Sequence, residues 1–245
     1  MKAVILAAGQ GARLRPLTDE QPKCMVVYRG RPLIEHVVRA LRDNGVNDIV
    51  AVRGYKPEAL RCEGVRFYDN PDYHTTNRVH SLFCAERELS GDVIISYSDI
   101  VYSPSVLRRL IDTQADFAVV VDRDWRRLWQ ERMDDPLDDA ETLRLDHRGN
   151  IIELGKQASS YAEIEGQYIG LMKVSAAAWP KLHSFHAALD RYADYDGKDF
   201  DNMAMTTFIQ AVIDRLMPVK AVPINGGWLG IDVPSDLEIT VDLGG

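Results

Sequence analysis

The sequence predicts an α/β fold in three layers, with a mainly parallel mixed sheet between helices. Three observations predict it. The apolar run 4–8 reads as a buried strand and breaks at Gly9-Gln10-Gly11. Strand-like and helix-like segments then alternate, which is the rhythm of a parallel sheet. A second apolar run, 92–99, ends in the carboxylate Asp99, and open sheets of this class bind ligands at the carboxyl ends of their strands.

Behind the first strand, the two glycines permit a sharp turn and leave no Cβ between the backbone N–H groups and an anion, which makes the turn a phosphate cradle. A dinucleotide fingerprint needs a third glycine where Leu14 stands, and a P-loop needs Gly-Lys-Ser/Thr, which this turn lacks. The fixed cations Arg13, Arg15 and Lys23 follow instead, and they suit a polyphosphate whose charge moves during reaction. Residues 32–41 read as a helix, with proline in its first turn, Leu33, Val37 and Leu41 on one face, and Asn44-Gly45 as its stop. Strands are expected at 49–52 and 65–68, after which Asn70-Pro71-Asp72 breaks the run. The next helix carries Val79, Leu82, Phe83 and Leu89 on one face and is capped by Thr76 or Asn77.

Past the run 92–99, Ser103-Pro104 opens a helix with Val106, Leu107, Leu110 and Ile111 inward, and 117–121 is a further strand. Between 122 and 141 the composition shifts, with Trp125 and Trp129 among eight acidic and four basic residues, and this reads as an insertion. Segments 143–145 and 151–154 pair as a hairpin that leads to Gly155-Lys156, and a strand begins within 165–171. Helices are expected over 176–192 and along the core stripe Met205, Phe208, Ile209, Val212, Ile213 and Leu216. The acidic loop 195–202 between them either covers a pocket or is solvated. A strand at 219–224 and a short helix opened by Pro234 complete the series.

At 245 residues the chain suits one domain, 1–245, with an elaborated lobe at about 122–203. A formal charge of −8 without a polybasic run argues against nucleic acid as a partner. No apolar stretch reaches membrane-spanning length and the chain opens directly on a core strand, so a cytoplasmic protein without a membrane partner is expected. Cys24, Cys62 and Cys84 are odd in number and lack metal-ligand spacing, which suggests reduced thiols. Cys24 adjoins the cation Lys23, yet reads as a packing residue. The oligomeric state stays open, a homodimer included.

The string Leu-Ala-Ala-Gly-x-Gly-x-Arg-Leu-x-Pro-Leu-Thr followed by Pro22-Lys23 resembles the signature of the sugar-phosphate nucleotidyltransferase-like family. The resemblance implies a Rossmann-like nucleotidyltransferase fold and transfer of a nucleotidyl group to a phosphorylated acceptor with release of pyrophosphate. It further implies that Leu6, Ala7, Ala8, Gly9 and Gly11 approach the nucleotide, that Arg13 holds the departing pyrophosphate and that Lys23 bridges toward the attacked phosphorus. Thr76, Asn77 and Ser81 match the segment that helps read the base, and side chains with both donors and acceptors suit a base edge, although each alone serves equally well as a helix cap. Asp99 and Asp232 match the pair that ligates catalytic Mg²⁺, a hard cation satisfied by carboxylates, water and substrate phosphates. Lys156 and Glu165 match acceptor-binding positions, with Asp124 and Tyr168 beside them. Lys156 and Glu165 also read as surface salt-bridge formers.

The resemblance is nearest to small CTP-dependent cytidylyltransferases acting on phosphocholine, aminoalkylphosphonates or phosphoglutamine. Segments 75–84, 135–142 and 196–203 look most like the phosphoglutamine type, which works in bacterial capsule phosphoramidate synthesis. On that reading Trp125 or Trp129 packs on an acceptor cation, and Arg132 or Arg123 holds its carboxylate. In-line attack on the α-phosphate needs little general-base help, because an acceptor phosphate or phosphonate oxygen is already ionised. Catalysis would come from positioning and charge neutralisation by Mg²⁺, Arg13, Lys23 and Lys156. A sugar-1-phosphate nucleotidylyltransferase shares the signature and both aspartates, and a non-catalytic nucleotide-binding module is the alternative of a different class.

Overall fold

Residues 1–243 are described by a computed structural model. In chain order the elements are β1 (Lys2–Ala7), β2 (Val27–Tyr28), β3 (Arg31–Pro32), α1 (Leu33–Asp43), β4 (Asp48–Arg53), β5 (Arg66–Asp69), α2 (Arg78–Cys84), β6 (Val93–Tyr97), β7 (Ile100–Tyr102) and α3 (Pro104–Asp112). There follow β8 (Phe117–Asp122), α4 (Trp125–Arg132), β9 (Glu141–Leu145), β10 (Asn150–Gln157), β11 (Gln167–Val174), α5 (Trp179–Ala187), α6 (Met205–Arg215), β12 (Val219–Ile224) and β13 (Trp228–Gly230). One nine-stranded sheet runs β5-β4-β1-β6-β11-β8-β12-β10-β9. β1 is parallel to β4 and β6, β4 to β5, and β8 to β12, whereas β11 lies antiparallel between β6 and β8.

The period-2 alternation of a strand divides the core into two layers. Along β1, Ala3, Ile5 and Ala7 face a cluster built with Leu33, Val37 and Leu41 of α1 and Val106, Leu107 and Leu110 of α3. Val4 and Leu6 face the opposite cluster, with Val79 and Leu82 of α2 and Phe208, Ile209 and Val212 of α6. Both faces of β1 are therefore dry, which explains an uninterrupted apolar run. Helix boundaries follow local chemistry. Ser103 accepts the Val106 N–H as the cap of α3, and Asn77, rather than Thr76, caps α2 by accepting the Arg78 N–H.

The expected helix over 176–192 is shorter, Trp179–Ala187, and the 195–202 segment is a loop. Gly155 and Lys156 lie inside β10 rather than after it. The small ribbons β2–β3 and β7–β13 have no counterpart in the expectations. The second ribbon matters most. Ile100 pairs with Gly230, and the Ile231 N–H donates to the Asp99 carbonyl at 2.8 Å, so the residue before β7 and the residues after β13 meet.

Candidate active site

Asp99 and Asp232 are 133 positions apart by their numbers, and the β7–β13 ribbon brings them together at the carboxyl ends of β1 and β6. The Lys23 ammonium joins them, with Nζ 2.7 Å from Asp99 Oδ2 and 2.7 Å from Asp232 Oδ1. Arg13 stands 3.1 Å from the same Asp232 oxygen, and Arg78 donates to Asp99 Oδ2 at 3.2 Å. Burial pushes the Asp99 carboxyl toward the neutral form, but the Lys23 ammonium and Arg78 guanidinium outweigh it and hold the group below the usual carboxylate range. Asp232 is treated the same way: burial opposes ionisation, and Lys23 is the main charge that restores it.

The turn after β1 sets Lys23 in place. Gly11 has φ +72°, and a Cβ there would stand 2.8 Å from Lys23 Cβ, so glycine satisfies both the left-handed backbone and the close approach of the lysine stem. Thr18 Oγ1 donates to the Gly11 carbonyl at 3.0 Å and closes the loop. Neighbouring Cys24 is buried, and burial pushes its thiol up to about 12, so proximity to Lys23 does not activate it.

Two cavities flank the carboxylates. One, of about 200 Å³, is lined by Leu6, Ala8, Gly9, Lys23, Tyr73, Thr76, Asn77, Arg78, Ser81, Ser98 and Asp99. It gathers most of the residues expected to touch nucleotide. Asn70 organises its wall by donating to Thr76 Oγ1 and Ser81 Oγ, both at 3.0 Å. The other, of about 150 Å³, is framed by Tyr97, Trp129, Arg132, Asp139, Tyr168, Trp228 and Asp232. An irregularity in the β11–β8 register between Tyr168 and Met172 forms its floor, at Gly170 (φ +86°), where a Cβ would lie 2.3 Å from the Tyr97 ring.

Of Lys156, Glu165, Asp124 and Tyr168, Tyr168 alone lines this second cavity. Asp124 is turned away because buried Asp122 accepts the N–H groups of Asp124 and Gly226 together with Trp228 Nε1–H. Asp124 then pairs with Arg127 in a separate cavity of about 520 Å³. Glu165 is tied to β9, where its Oε1 accepts the Leu145 N–H. Lys156 is exposed on β10 and lines neither cavity of the cleft. Arg132 does reach the second cavity, but its guanidinium is committed to Asp236 (2.9 and 3.1 Å) and Asp232 (3.1 Å) rather than open to a ligand carboxylate. Trp125 is buried against Tyr161, whereas Trp129 lines the cavity. Arg78, Tyr97, Ser98 and Asp139 were not expected. No spacing marks them, since α2, β6 and the segment after α4 converge only in three dimensions.

A glycine turn, fixed cations and a carboxylate pair between two cavities define a site for phosphoryl-group chemistry on a polyphosphate. Comparison with known proteins places it in a family. The profile of the MobA-like NTP transferase domain matches residues 3–192, and the chain belongs to that family. It is 45% identical over 253 aligned residues, 99% of this chain and all of the relative, to the CTP:phosphoglutamine cytidylyltransferase of Campylobacter jejuni subsp. jejuni. It is 38% identical over 106 residues, 42% of this chain and 46% of the relative, to the choline-phosphate cytidylyltransferase of Streptococcus pneumoniae. In structure it resembles the inositol-1-phosphate CTP transferase of T. maritima, with a TM-score of 0.73 at 21% identity over 96% of this chain and 90% of that one. The protein is a nucleotidyltransferase.

Enzymes of this family generally use a divalent metal. The donor set fits one: Asp99 and Asp232 each already offer an oxygen to a shared cation, the Lys23 ammonium. Among the described residues no group of three or more acidic, His or Cys side chains gathers, so further ligands would be water and substrate phosphates.

Proposed function

We propose that the chain transfers CMP from CTP to phosphoglutamine, or to a close phosphorylated amino acid or amine, with release of pyrophosphate. The observation that carries the reading is the Lys23 bridge between Asp99 and Asp232, set where a base-sized cavity meets a smaller aromatic one. The similarity to the Campylobacter enzyme over the full chain supports the choice of donor and acceptor.

CTP would lie with its base beside Asn77 and Ser81 and its phosphates on the Gly9–Gly11 turn. Arg13, 66% exposed at the side chain, is free to follow the departing pyrophosphate, while Lys23 faces the α-phosphate. An acceptor phosphate oxygen forms the new bond to the α-phosphorus as the bond to the β-phosphate oxygen breaks, and no proton need move. Mg²⁺ held by Asp99 and Asp232 would supply charge neutralisation on the phosphates. Lys23 leaves the carboxylates for the α-phosphate when the substrates are in place.

Tyr168 and Trp129 would contact the acceptor, and Asp139, whose Oδ2 accepts Trp129 Nε1–H at 3.1 Å, offers a carboxylate for its ammonium. Glu165 would contribute only if its bond to the Leu145 N–H of β9 were released, and Lys156 only if β10 approached the cleft. Three free thiols suit a reducing cytoplasm, and no helix among the described residues is long and apolar enough to cross a membrane. Capsule modification is the pathway this chemistry would serve.

The test is pyrophosphate release across the four ribonucleoside triphosphates, each crossed with phosphoglutamine, phosphocholine, 2-aminoethylphosphonate and glucose 1-phosphate. Turnover confined to CTP with phosphoglutamine is expected. Turnover with glucose 1-phosphate alone would overturn the acceptor and favour a sugar nucleotidylyltransferase.

A further inference from the structure

The two cavities share two lining residues, Arg78 and Asp99. Any bond that forms between an occupant of one and an occupant of the other must cross this junction. Asp99 is an anion already paired with Lys23 and assigned above to the metal, so Arg78 is the one cationic side chain that lines both cavities. We infer that Arg78 is a catalytic residue of the transfer, the cation that lies between acceptor phosphate and α-phosphate and neutralises both as they approach. The inference rests on the nucleotidyl-transfer reading above and adds to it a residue that neither the signature turn nor the metal carboxylates include.

Three observations support it. First, the guanidinium is fixed before substrate arrives. Its Cζ stands 4.2 Å from the Tyr97 ring centroid, Tyr97 meets Tyr168 edge-on at 5.9 Å, and Gly170 leaves the Tyr97 ring the space a Cβ would take. Its backbone is the first residue of α2, held by the Asn77 cap, and Asn77 is in turn tied to loop 195–202 through the carbonyls of Asp201 and Asn202. Secondly, the side chain is 44% exposed, so it is open to ligand although its plane is pinned. Thirdly, one Nη2 contact to Asp99 uses only part of a five-donor fork, and the remaining N–H groups are available for phosphate oxygens on two different molecules. A lysine has three donors on one compact head, as the Lys23 bridge shows, but lacks the wide planar fork and would span the two phosphates less well.

In the balanced step, the acceptor oxygen bonds to the α-phosphorus and pyrophosphate departs with the electron pair of the broken P–O bond. Charge accumulates on the non-bridging α-oxygens, and donors placed there in advance stabilise the transition state more than the ground state.

The experiment compares wild type, Arg78→Ala and Arg78→Lys with whichever acceptor wild type turns over. Arg78→Ala is expected to lower kcat by about 10²–10³. CTP affinity by calorimetry and the melting temperature should stay close to wild type. Free guanidinium ion should restore turnover to Arg78→Ala at least about 10-fold while leaving wild type unimproved, and Arg78→Lys should recover only part of the loss. Unchanged kcat in Arg78→Ala overturns the assignment. So does a loss that tracks weakened CTP binding or a lowered melting temperature and resists guanidinium, since Arg78 would then be a structural partner of Asp99. Wild type active on another acceptor would overturn the choice of phosphoglutamine and leave the Arg78 test intact, whereas wild type inert with every pair would overturn both.

Discussion

Replacing Asp236 by alanine is expected to damage the protein more than any substitution of a surface acid. Asp236 is fully buried, and its two oxygens accept Arg132 Nε (2.9 Å), Arg132 Nη2 (3.1 Å), the Asp232 N–H (2.7 Å) and the Val233 N–H (2.9 Å). Arg132 is 7% exposed at the side chain, so after the change its guanidinium keeps only the 3.1 Å contact to Asp232 and gains little water. Breaking a buried charged pair on one side costs about 3–5 kcal/mol. For a chain of this size each kcal/mol moves the melting temperature by about 2–4 °C, which gives a fall of roughly 6–20 °C. Asp236→Asn keeps the shape and one acceptor oxygen and should lose about 1.5–3 kcal/mol. Calorimetric melting and urea titration of Asp236→Ala, Arg132→Met and the double variant form a thermodynamic cycle. The double variant should recover much of the single loss, because no buried charge is left uncompensated. An Asp236→Ala protein that melts within about 2 °C of wild type, or a cycle with no coupling, would refute the reasoning.

Three further expectations follow from the same geometry. Lys23→Met removes the cation that the two carboxylates share, so Mn²⁺ binding followed by electron paramagnetic resonance without nucleotide should tighten at least about 10-fold, while turnover falls about 10²–10³. Gly11→Ala places a Cβ against Lys23 at a φ of +72° and should cost about 1–2 kcal/mol, with a matching loss of thermal protection by CTP. Glu88, held at about 2 by hydrogen bonds from Arg66, Lys2 and Tyr68, stabilises the fold above its ordinary value of 4.5 and loses that contribution as pH falls through about 2. Acid titration of Glu88→Gln should therefore show lower stability at neutral pH and a smaller change across that window.

The sheet strands and the long helices were legible because their signals are local. The run 4–8, the stripe of α6 and the Ser103-Pro104 start of α3 each show a period or cap within a few residues. The β7–β13 ribbon was not legible. Each strand has three residues, too few for alternation to register, and their partnership spans more than half the chain. That is why resemblance, and not spacing, anticipated Asp99 beside Asp232. Arg78 was hidden because an arginine at a helix start reads as a solvated cation. Asp124 and Glu165 lie outside the second cavity because a carboxylate near an acceptor motif in sequence is free to spend its oxygens on a neighbouring guanidinium or a strand N–H, as both do here.

The reversed strand β11 has a consequence for how such an enzyme diversifies. Because it runs against β6 and β8, its beginning, rather than its end, arrives at the catalytic edge, and it carries Tyr168 and Gly170 there from late in the chain. The first cavity is lined wholly by residues before 100, and the second mainly by residues from 100 onward, with Tyr97 and the two shared residues Arg78 and Asp99 as the exceptions. On the proposed reading, substitutions in α4 and the start of β11 would therefore alter the acceptor's cavity while leaving every residue that lines the donor's cavity in place.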